Sequence, residues 1–409
     1  MTWLGRWLPA LTMMLVSIIS YVDRNTLALL APSILEQTHL SAAQYGWAVA
    51  AYSIAFALSN PLWGRLLDRV GVRIGMTAAV LFWSLASAGH GLAQSFMAFA
   101  FARGLLGLGE GAAAPGGLRT VTQTLPVASR ARGIALTYSG GSAGAILTPL
   151  LITPVAARFG FRGAFAFTGG IGLLWVVAWL LLSRRSDLRA PVTAAATPAE
   201  AATSRPSLRD RRVAGFLLGY GLGALPLGFV VYCSPLYLHR VLGLSQLTLG
   251  KLLWLPPLGS ELGIFFWGFL ADRLGRGRPD RLARSRRLLP LALLLGAPLA
   301  LLPMLHSVAL VLAVFFLTMF AAAAFQVLVV GYGSEVFSRQ HVGYVAGLSS
   351  GAYGAGLFVL MPQFGRLFDA HAYGTAFAVA AACPALGYLC LQRLATFPEQ
   401  PLALEPEFE

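Results

Sequence analysis

One short motif occurs twice in this chain, first as Gly64-Arg65-Leu66-Leu67-Asp68-Arg69-Val70-Gly71-Val72-Arg73 and again as Gly268-Phe269-Leu270-Ala271-Asp272-Arg273-Leu274-Gly275-Arg276-Gly277-Arg278. The copies begin at positions 64 and 268, an offset of 204 in a chain of 409 residues. Each copy follows an apolar run and contains a small, basic turn. A repeat of about half the chain is typical of transporters built from two related helical bundles.

The composition is that of a membrane protein with many spans. Hydrophobic residues make up 57% of the chain and charged residues 11%, with a mean hydropathy of +0.70. Soluble domains contain about 25% charged residues. The net charge of +14 comes mainly from arginines in alternate loops, as expected for loops on the cytoplasmic side of a membrane. These turns are too short to form a surface that reads nucleic acid, so no nucleic-acid partner is predicted.

Twelve apolar runs are long enough to cross a bilayer, which takes about 20 helical residues. They lie near 8–32, 44–63, 75–95, 97–119, 132–156, 163–183, 213–237, 247–270, 288–305, 308–333, 342–365 and 373–392. The segment 184–212, rich in Arg, Ala, Thr and Pro, is predicted to be a flexible cytoplasmic linker. An even number of spans with basic loops inside places both termini in the cytoplasm.

The predicted fold is therefore an all-α membrane protein of twelve transmembrane helices in two pseudo-symmetric six-helix bundles. Residues 1–183 form the first bundle and residues 213–409 the second, which ends in a short cytoplasmic tail. This arrangement, with G-x-L-x-D-R-x-G-x-R after the second span and its echo after the eighth, resembles the major facilitator superfamily.

Shorter stretches resemble one branch of that superfamily, the organic anion:cation symporters. They are Tyr21-x-Asp23-Arg24-Asn25-Thr26 in the first span and Arg103-x6-Glu110 in the fourth. Other stretches, such as Trp254-Leu255-Pro256, are similar to hexuronate and aldonate transporters of the same branch. The resemblance implies that Arg24 meets the substrate carboxylate, and that Asp23 and Glu110 take part in proton coupling.

The charges of the first span point to a functional site independently of the resemblance. Asp23 and Arg24 lie about 24 Å along the span, near the middle of the membrane. A charge there costs at least about 2.5–3.5 kcal/mol on insertion scales, so it needs a partner or a cavity. Adjacent helical residues point about 100° apart, so the two charges cannot easily satisfy each other. A neutral pair that only fixes packing is the structural alternative.

Arg103 and Glu110 are seven residues apart and share one face of the fourth span. Their separation of about 10.5 Å along the axis is too long for a bond but suits the lining of one pocket. Arg103 is predicted to be a second carboxylate anchor, with an interfacial, snorkelling residue near the outer end of the span as the alternative, and Glu110 is predicted to be a proton site. Glu261 in the eighth span is a further candidate for proton coupling, and pairing with Arg24 remains an alternative for it.

These charges suggest how coupling would arise. With all groups ionised, Asp23, Glu110 and Glu261 against Arg24 and Arg103 sum to −1. Protonating one carboxyl brings the sum to zero and leaves an arginine free for an anion. Proton and anion binding would then reinforce each other.

Two further groups of residues receive predicted roles. Four polar side chains are expected to contact the hydroxyls of a polyol acid, with ordinary hydrogen bonds between helices as the alternative: Tyr52, Tyr138, Gln326 and Tyr353. The paired motif is expected to gate the cytoplasmic side through Gly64, Asp68, Arg69, Gly71 and Arg73 and through Gly268, Asp272, Arg273, Gly275 and Arg276.

The sequence thus predicts a secondary active transporter of the inner (plasma) membrane. It would act as a monomer, without cofactor or metal, in proton-coupled symport of a small organic anion such as a hexuronate or aldonate. A monocarboxylate or dicarboxylate carrier, an anion exchanger, and a nutrient sensor on the same fold remain open. No enzyme is predicted, because the chain contains no P-loop and no H-E-x-x-H motif.

Overall fold

The structure is a computed structural model that describes residues 3–188, 209–275, 281–336 and 342–394. Within these ranges every regular element is helical, in agreement with the predicted all-α fold. The α-helices are α1 Trp3–Leu29, α2 Ala31–Thr38, α3 Ala42–Gly89, α4 Phe96–Glu110, α5 Ala113–Thr124, α6 Val127–Leu182, α7 Arg211–Gly223, α8 Leu225–Arg240, α9 Gln246–Leu252, α10 Leu255–Gly275, α11 Arg281–Gly296, α12 Val308–Val336, α13 Val342–Asp369 and α14 Tyr373–Leu394. Short 3₁₀ helices lie at His90–Leu92, Ser186–Leu188 and Ala297–Met304.

Seven helical stretches of the described residues are long and apolar enough to cross a membrane. The two longest, of 51 and 56 residues, exceed twice the length that one crossing requires. Each contains a glycine with positive φ, Gly71 at 75° in α3 and Gly160 at 68° in α6. Glycine adopts this left-handed conformation without the steric cost of a Cβ atom, so a helix ends and the next begins there without a loop. The chain is thus a multi-pass membrane protein, and the number of twelve spans stays a prediction.

Close backbone contact joins α1 to α6. A Cβ atom on Gly144 would lie 2.6 Å from the carbonyl oxygen of Ile18, and one on Gly140 would overlap the carbonyl of Met14. Only glycine lets two membrane helices approach this closely. The seam holds α1, which carries Asp23 and Arg24, at a defined distance from α6.

Helices on either side of the interval 189–208 meet at one end of the molecule. This end contains α2, the turn between α8 and α9, and the turn between α13 and α14, and we refer to it as the α2 end. The carboxylate of Asp369, the last residue of α13, accepts hydrogen bonds from the backbone N–H groups of Ala42 (2.8 Å) and Ala43 (2.9 Å) at the start of α3. Next to it, a Cβ atom on Gly46 would overlap the carbonyl of Met361, so α3 and α13 are also in close contact.

The start of α9 adds a second connection at the α2 end. The Gln246 side chain donates to the carbonyl of Leu29 (2.9 Å) and accepts from the hydroxyl of Ser33 (3.2 Å). Away from this end, contacts between the two parts of the chain extend to the middle of the helices, where Ser142 of α6 donates to Glu261 of α10. The two parts of the chain are therefore in direct contact at the α2 end.

Candidate functional site

A buried ion pair joins α1 to α4. The Nη2 atom of Arg24 lies 3.3 Å from Oε2 of Glu110, whose side chain is fully buried, whereas that of Arg24 is 18% exposed. Glu110 is the last residue of α4 and is followed by Gly111, whose missing side chain makes room for Ser59 and Asn60 of α3. The pair thus joins a partly exposed guanidinium to a buried carboxylate.

Two hydroxyl groups complete the surroundings of the Glu110 carboxylate. Its Oε2 atom also accepts from Ser20 (3.0 Å) and from Tyr52 (2.5 Å), whereas Oε1 has no hydrogen-bond partner among the described residues. Three donors on one oxygen compensate a buried negative charge. The free Oε1 leaves a place for a proton that would not displace any of these donors.

Aromatic rings surround the guanidinium of Arg24. Its Cζ atom lies 4.7 Å from the ring centre of Tyr21, 5.1 Å from that of Tyr52 and 4.7 Å from that of Phe56. Such contacts stabilise a cation while leaving part of its N–H fork unused. Arg24 could therefore exchange the Glu110 carboxylate for another carboxylate while it stays in contact with these three rings.

Asp23 has partners of its own, as the angle between adjacent helical residues predicts. It is fully buried, and its Oδ1 atom accepts a hydrogen bond of 2.6 Å from Ser87 of α3, which lies next to Thr168 of α6. Its Oδ2 atom has no hydrogen-bond partner within the described ranges. Asp23 and Arg24 thus belong to two adjoining polar clusters and do not form a pair.

Arg103 lies behind Arg24. It is fully buried, its Nη2 atom donates to the backbone carbonyl of Arg24 (3.2 Å), and its Cζ atom is 4.9 Å from the ring centre of Tyr52. Its Nε and Nη1 atoms have no hydrogen-bond partner in the part of the chain that is described. In this conformation Arg103 places a positive charge near Asp23 and holds the backbone of Arg24, and it is not itself accessible.

We refer to Asp23, Arg24, Arg103 and Glu110 with their contacts as the cluster, and the remaining predicted residues lie outside it. In this conformation Glu261 accepts a hydrogen bond from Ser142, and Arg24 is paired with Glu110, so Glu261 and Arg24 do not form a pair here. Gln326 lies near the side chain of Tyr220, and the hydroxyl of Tyr353 lies against Gly228. Tyr138 is 54% exposed on α6.

Several residues of the cluster were not among the predicted site residues. Tyr21, Phe56, Ser20 and Ser87 all contact Asp23, Arg24 or Glu110. Spacing would have indicated two of them, because Tyr21 and Ser20 are three and four residues before Arg24 and so share its face of α1.

The first copy of the repeated motif forms contacts inside its own part of the chain. Asp68 forms an ion pair with Arg119 of α5. Gly71 is the joint in α3, and the carbonyl of Arg73 accepts from the indole of Trp179 (3.2 Å). Gly64 and Arg69 lie on α3 before this joint.

The second copy of the motif lies at the end of α10. Gly268, Asp272, Arg273 and Gly275 belong to this helix, and the side chains of Asp272 and Arg273 are exposed. Arg276 and most of the predicted linker, residues 189–208, lie outside the described residues. Gating by the motif thus stays a prediction.

Nothing in the described residues resembles a metal centre. No group of three or more His, Cys, Asp or Glu side chains within these ranges could hold a metal ion. The three cysteines have free thiols.

Comparison with known proteins identifies relatives along nearly the whole chain. The model of the Major Facilitator Superfamily matches residues 13–283. A hexuronate transporter of Escherichia coli is 27% identical over 406 residues, covering 94% of this chain and 93% of its own. A galacturonate transporter of Dickeya chrysanthemi is 27% identical over 279 residues, covering 65% and 81%. A D-galactonate transporter of Escherichia coli is 29% identical over 293 residues, covering 66% and 68%.

A solved structure supports the fold. The bacterial homologue of the human lysosomal transporter Spinster, in an inward-facing and unoccupied conformation, superimposes with a TM-score of 0.77 over 96% of this chain and 98% of its own. The two sequences are 18% identical, so the match concerns the fold alone.

Proposed function

The chain belongs to the major facilitator superfamily, and on this basis we propose that it is a proton-coupled symporter of a sugar acid. The proposed substrate is a small organic anion such as a hexuronate or an aldonate, in line with the named substrates of the relatives. Membership in this family identifies a multi-pass membrane transporter and not an enzyme.

One observation carries the proposal: the only accessible arginine of the cluster is held by a buried carboxylate. While Glu110 is ionised, its carboxylate neutralises Arg24, and a substrate anion has to displace it. A proton on Glu110 removes the negative charge and leaves Arg24 free for the substrate. Proton and anion then favour each other's binding, which is the thermodynamic requirement for symport.

Asp23 and Arg103 are proposed to act indirectly, through their effects on Arg24. Asp23 is buried without a bond to any arginine, so its ionisation adds negative charge close to Arg24. Arg103 would reach the substrate only after Arg24 has moved, because the backbone of Arg24 covers it. Glu261, bound to Ser142 between the two parts of the chain, is proposed to respond to movement between them.

Hydroxyl and amide groups are proposed to recognise the polyol part of the substrate. Tyr52 already contacts both Glu110 and Arg24, so it would sense whether the carboxylate of the substrate is in place. Tyr353, Gln326 and Tyr138 are proposed to contact substrate hydroxyls at different stages of the cycle.

The orientation and the conformational state also belong to the proposal. We place the α2 end outside the cell and both termini in the cytoplasm of the inner membrane, because the basic loops lie at the opposite end. With its contacts at the α2 end, we take this to be an inward-open conformation, and we propose two bundles, 1–183 and 213–409, joined by the linker 184–212. The repeated motif, including the Asp68 and Arg119 pair, is proposed to close the cytoplasmic side when the bundles rock.

Uptake into proteoliposomes tests the proposal. The lumen is kept neutral and the outside acidic, and uptake of glucuronate, galactonate, lactate and the matching neutral sugars is compared with and without a protonophore. We expect uptake of a sugar acid that collapses with the protonophore, no uptake of neutral sugars, and loss of uptake in Arg24→Ala. Asp187→Asn, which removes an acid paired with Arg185 outside the cluster, is the matched control. Transport of neutral sugars, or anion exchange without the gradient, would refute the roles of Arg24 and Glu110.

A further inference from the structure

The α2 end contains a second acid and base pair that connects the two parts of the chain. Nε2 of His239, in the last turn of α8, lies 2.8 Å from Oε1 of Glu36 on α2. The other ring nitrogen, Nδ1, lies 2.8 Å from the backbone carbonyl of Leu244. The turn that carries this carbonyl is held by hydrogen bonds from Gly243 N to His239 O and from Leu244 N to Leu238 O. Both ring nitrogens of His239 are thus engaged at hydrogen-bond distance.

This geometry requires one proton more than a neutral imidazole and an ionised carboxylate carry between them. A carbonyl oxygen only accepts, so Nδ1 of His239 must be the donor to Leu244. A neutral imidazole with its proton on Nδ1 presents a lone pair at Nε2, and an ionised Glu36 presents a lone pair in return. The contact therefore forms only when one further proton lies between Nε2 and Oε1. A carboxylic acid is a stronger acid than an imidazolium ion, so that proton resides on His239.

Other charged groups at this end reinforce the same closure. Arg240, the next residue of α8, points towards Asp369, with 3.8 Å between Nη1 and Oδ1. Asp369 in turn binds the first turn of α3. His371 and Tyr373 line a cavity of about 700 Å³ together with Glu36, His239 and Arg240. The side chain of His239 is 30% exposed, so it can exchange its proton with solvent on the α2 side.

We propose that His239 and Glu36 form a proton-dependent latch that holds the α2 end closed. Loss of the proton from His239 sets two lone pairs against each other and favours the open α2 end. The proposal deepens the proposed function, since it uses the orientation in which the α2 end faces outside. The latch takes up and returns its proton on the same side of the membrane, so it changes the pH dependence of closure without adding a transported proton. This distinguishes it from Glu110.

A distance measurement tests the latch without substrate or gradient. Nitroxide labels are placed on cysteines at Gln37 of α2 and Leu247 of α9, two exposed positions on opposite sides of the contact, in a chain whose native cysteines are replaced by alanine. Electron-electron resonance in nanodiscs then gives the ratio of closed to open molecules from about pH 5.5 to about pH 8.5. We expect this ratio to fall about threefold over that range, the size expected for a partly exposed ion pair.

Three variants separate the latch from other causes. Glutamine at position 239 donates to Glu36 from the place of Nε2 but does not titrate, so His239→Gln is expected to keep the closed fraction constant with pH. Glu36→Gln is expected to do the same, because its amide can donate to a neutral Nε2. His371→Asn changes the other histidine of the cavity, at a turn with φ 56° that asparagine tolerates, and is expected to keep the parent's pH dependence.

The outcomes are distinct. A ratio that does not change with pH in the parent chain, or a pH dependence that survives in His239→Gln and Glu36→Gln, would overturn the latch. Loss of the pH dependence in His371→Asn would show that His371, and not His239, is the titrating group, and would also overturn the latch. A responsive latch in a protein that fails the uptake test would leave the latch standing and remove the proposed function. Proton-driven uptake in a protein whose label distances do not respond to pH would support the proposed function and overturn the latch.

Discussion

Replacing Glu110 by glutamine isolates the ion pair from the rest of the cluster. Glutamine keeps the size of the side chain and an oxygen that accepts from Ser20 and Tyr52, but it removes the negative charge 3.3 Å from Arg24. The variant therefore resembles the protonated state of the proposed cycle at every pH.

The magnitude follows from the geometry of the pair. Two unit charges at this distance attract each other by about 5 kcal/mol at an effective dielectric constant of about 20. The substrate carboxylate restores part of this attraction when it displaces Glu110, and the rings of Tyr21, Tyr52 and Phe56 hold Arg24 in either case. A net coupling of about 2 kcal/mol remains, which is about 30-fold in the dissociation constant.

Equilibrium binding of a radiolabelled sugar acid to protein in nanodiscs measures this coupling. For the parent chain, Kd is expected to fall about 30-fold from about pH 8.5 to about pH 5.5. For Glu110→Gln, Kd is expected to stay near the parent's low-pH value throughout, and accumulation driven by a proton gradient is expected to stop. Asp187→Asn is the control and is expected to follow the parent. A Glu110→Gln variant that keeps the parent's pH profile, or that binds weakly at every pH, would refute the reasoning.

Three further substitutions test other contacts. Arg24→Lys keeps the charge but loses the planar fork, so sugar-acid affinity in the same binding assay is expected to fall at least about tenfold; affinity equal to the parent's would argue against a bidentate anchor. Asp369→Asn weakens the charge-assisted cap on α3 by about 1 kcal/mol, so the ratio of closed to open molecules reported by labels at 37 and 247 is expected to fall about fivefold; an unchanged ratio would show that Asp369 does not hold the α2 end closed. Gly144→Val forces α6 away from α1 and is expected to destabilise the fold by about 1–3 kcal/mol. Its thermal midpoint is compared with that of Gly170→Val, where a Cβ atom would meet nothing within 4 Å; equal midpoints would contradict the seam.

Much of the fold followed from the sequence because membrane helices need long apolar runs. The predicted runs correspond to described helices, and the all-α architecture is confirmed. Some boundaries differ: the third run was predicted from residue 75, whereas the helix resumes directly after Gly71. Hydropathy measures composition and cannot register a joint of one residue, although the glycine of the repeated motif lay at that joint.

The cluster was predictable in part. Asp23, Arg24 and Glu110 stood out because a charge within an apolar run is costly. Their partners did not, since hydroxyl groups such as that of Ser87 are common in membrane helices, and only the rotation of each helix decides which of them face a charge. The same limit applied to Glu261, because its neighbour Ser142 lies 119 positions away in the chain and is brought close only by the packing of α6 on α10.

The pairing of Arg24 with Glu110 has a consequence for selectivity and release. Under the proposed cycle the Glu110 carboxylate occupies Arg24 in the empty protein and competes with the substrate. The binding free energy of a substrate therefore includes only the difference between the interaction of its carboxylate with Arg24 and that of Glu110. A neutral sugar offers dipoles in place of a charge and loses this competition whatever its hydroxyl pattern. On the cytoplasmic side, deprotonated Glu110 competes again for Arg24 and expels the anion. Modest affinity for the anion and its fast release into the cytoplasm would thus both follow from the presence of Glu110 as an internal counter-ion.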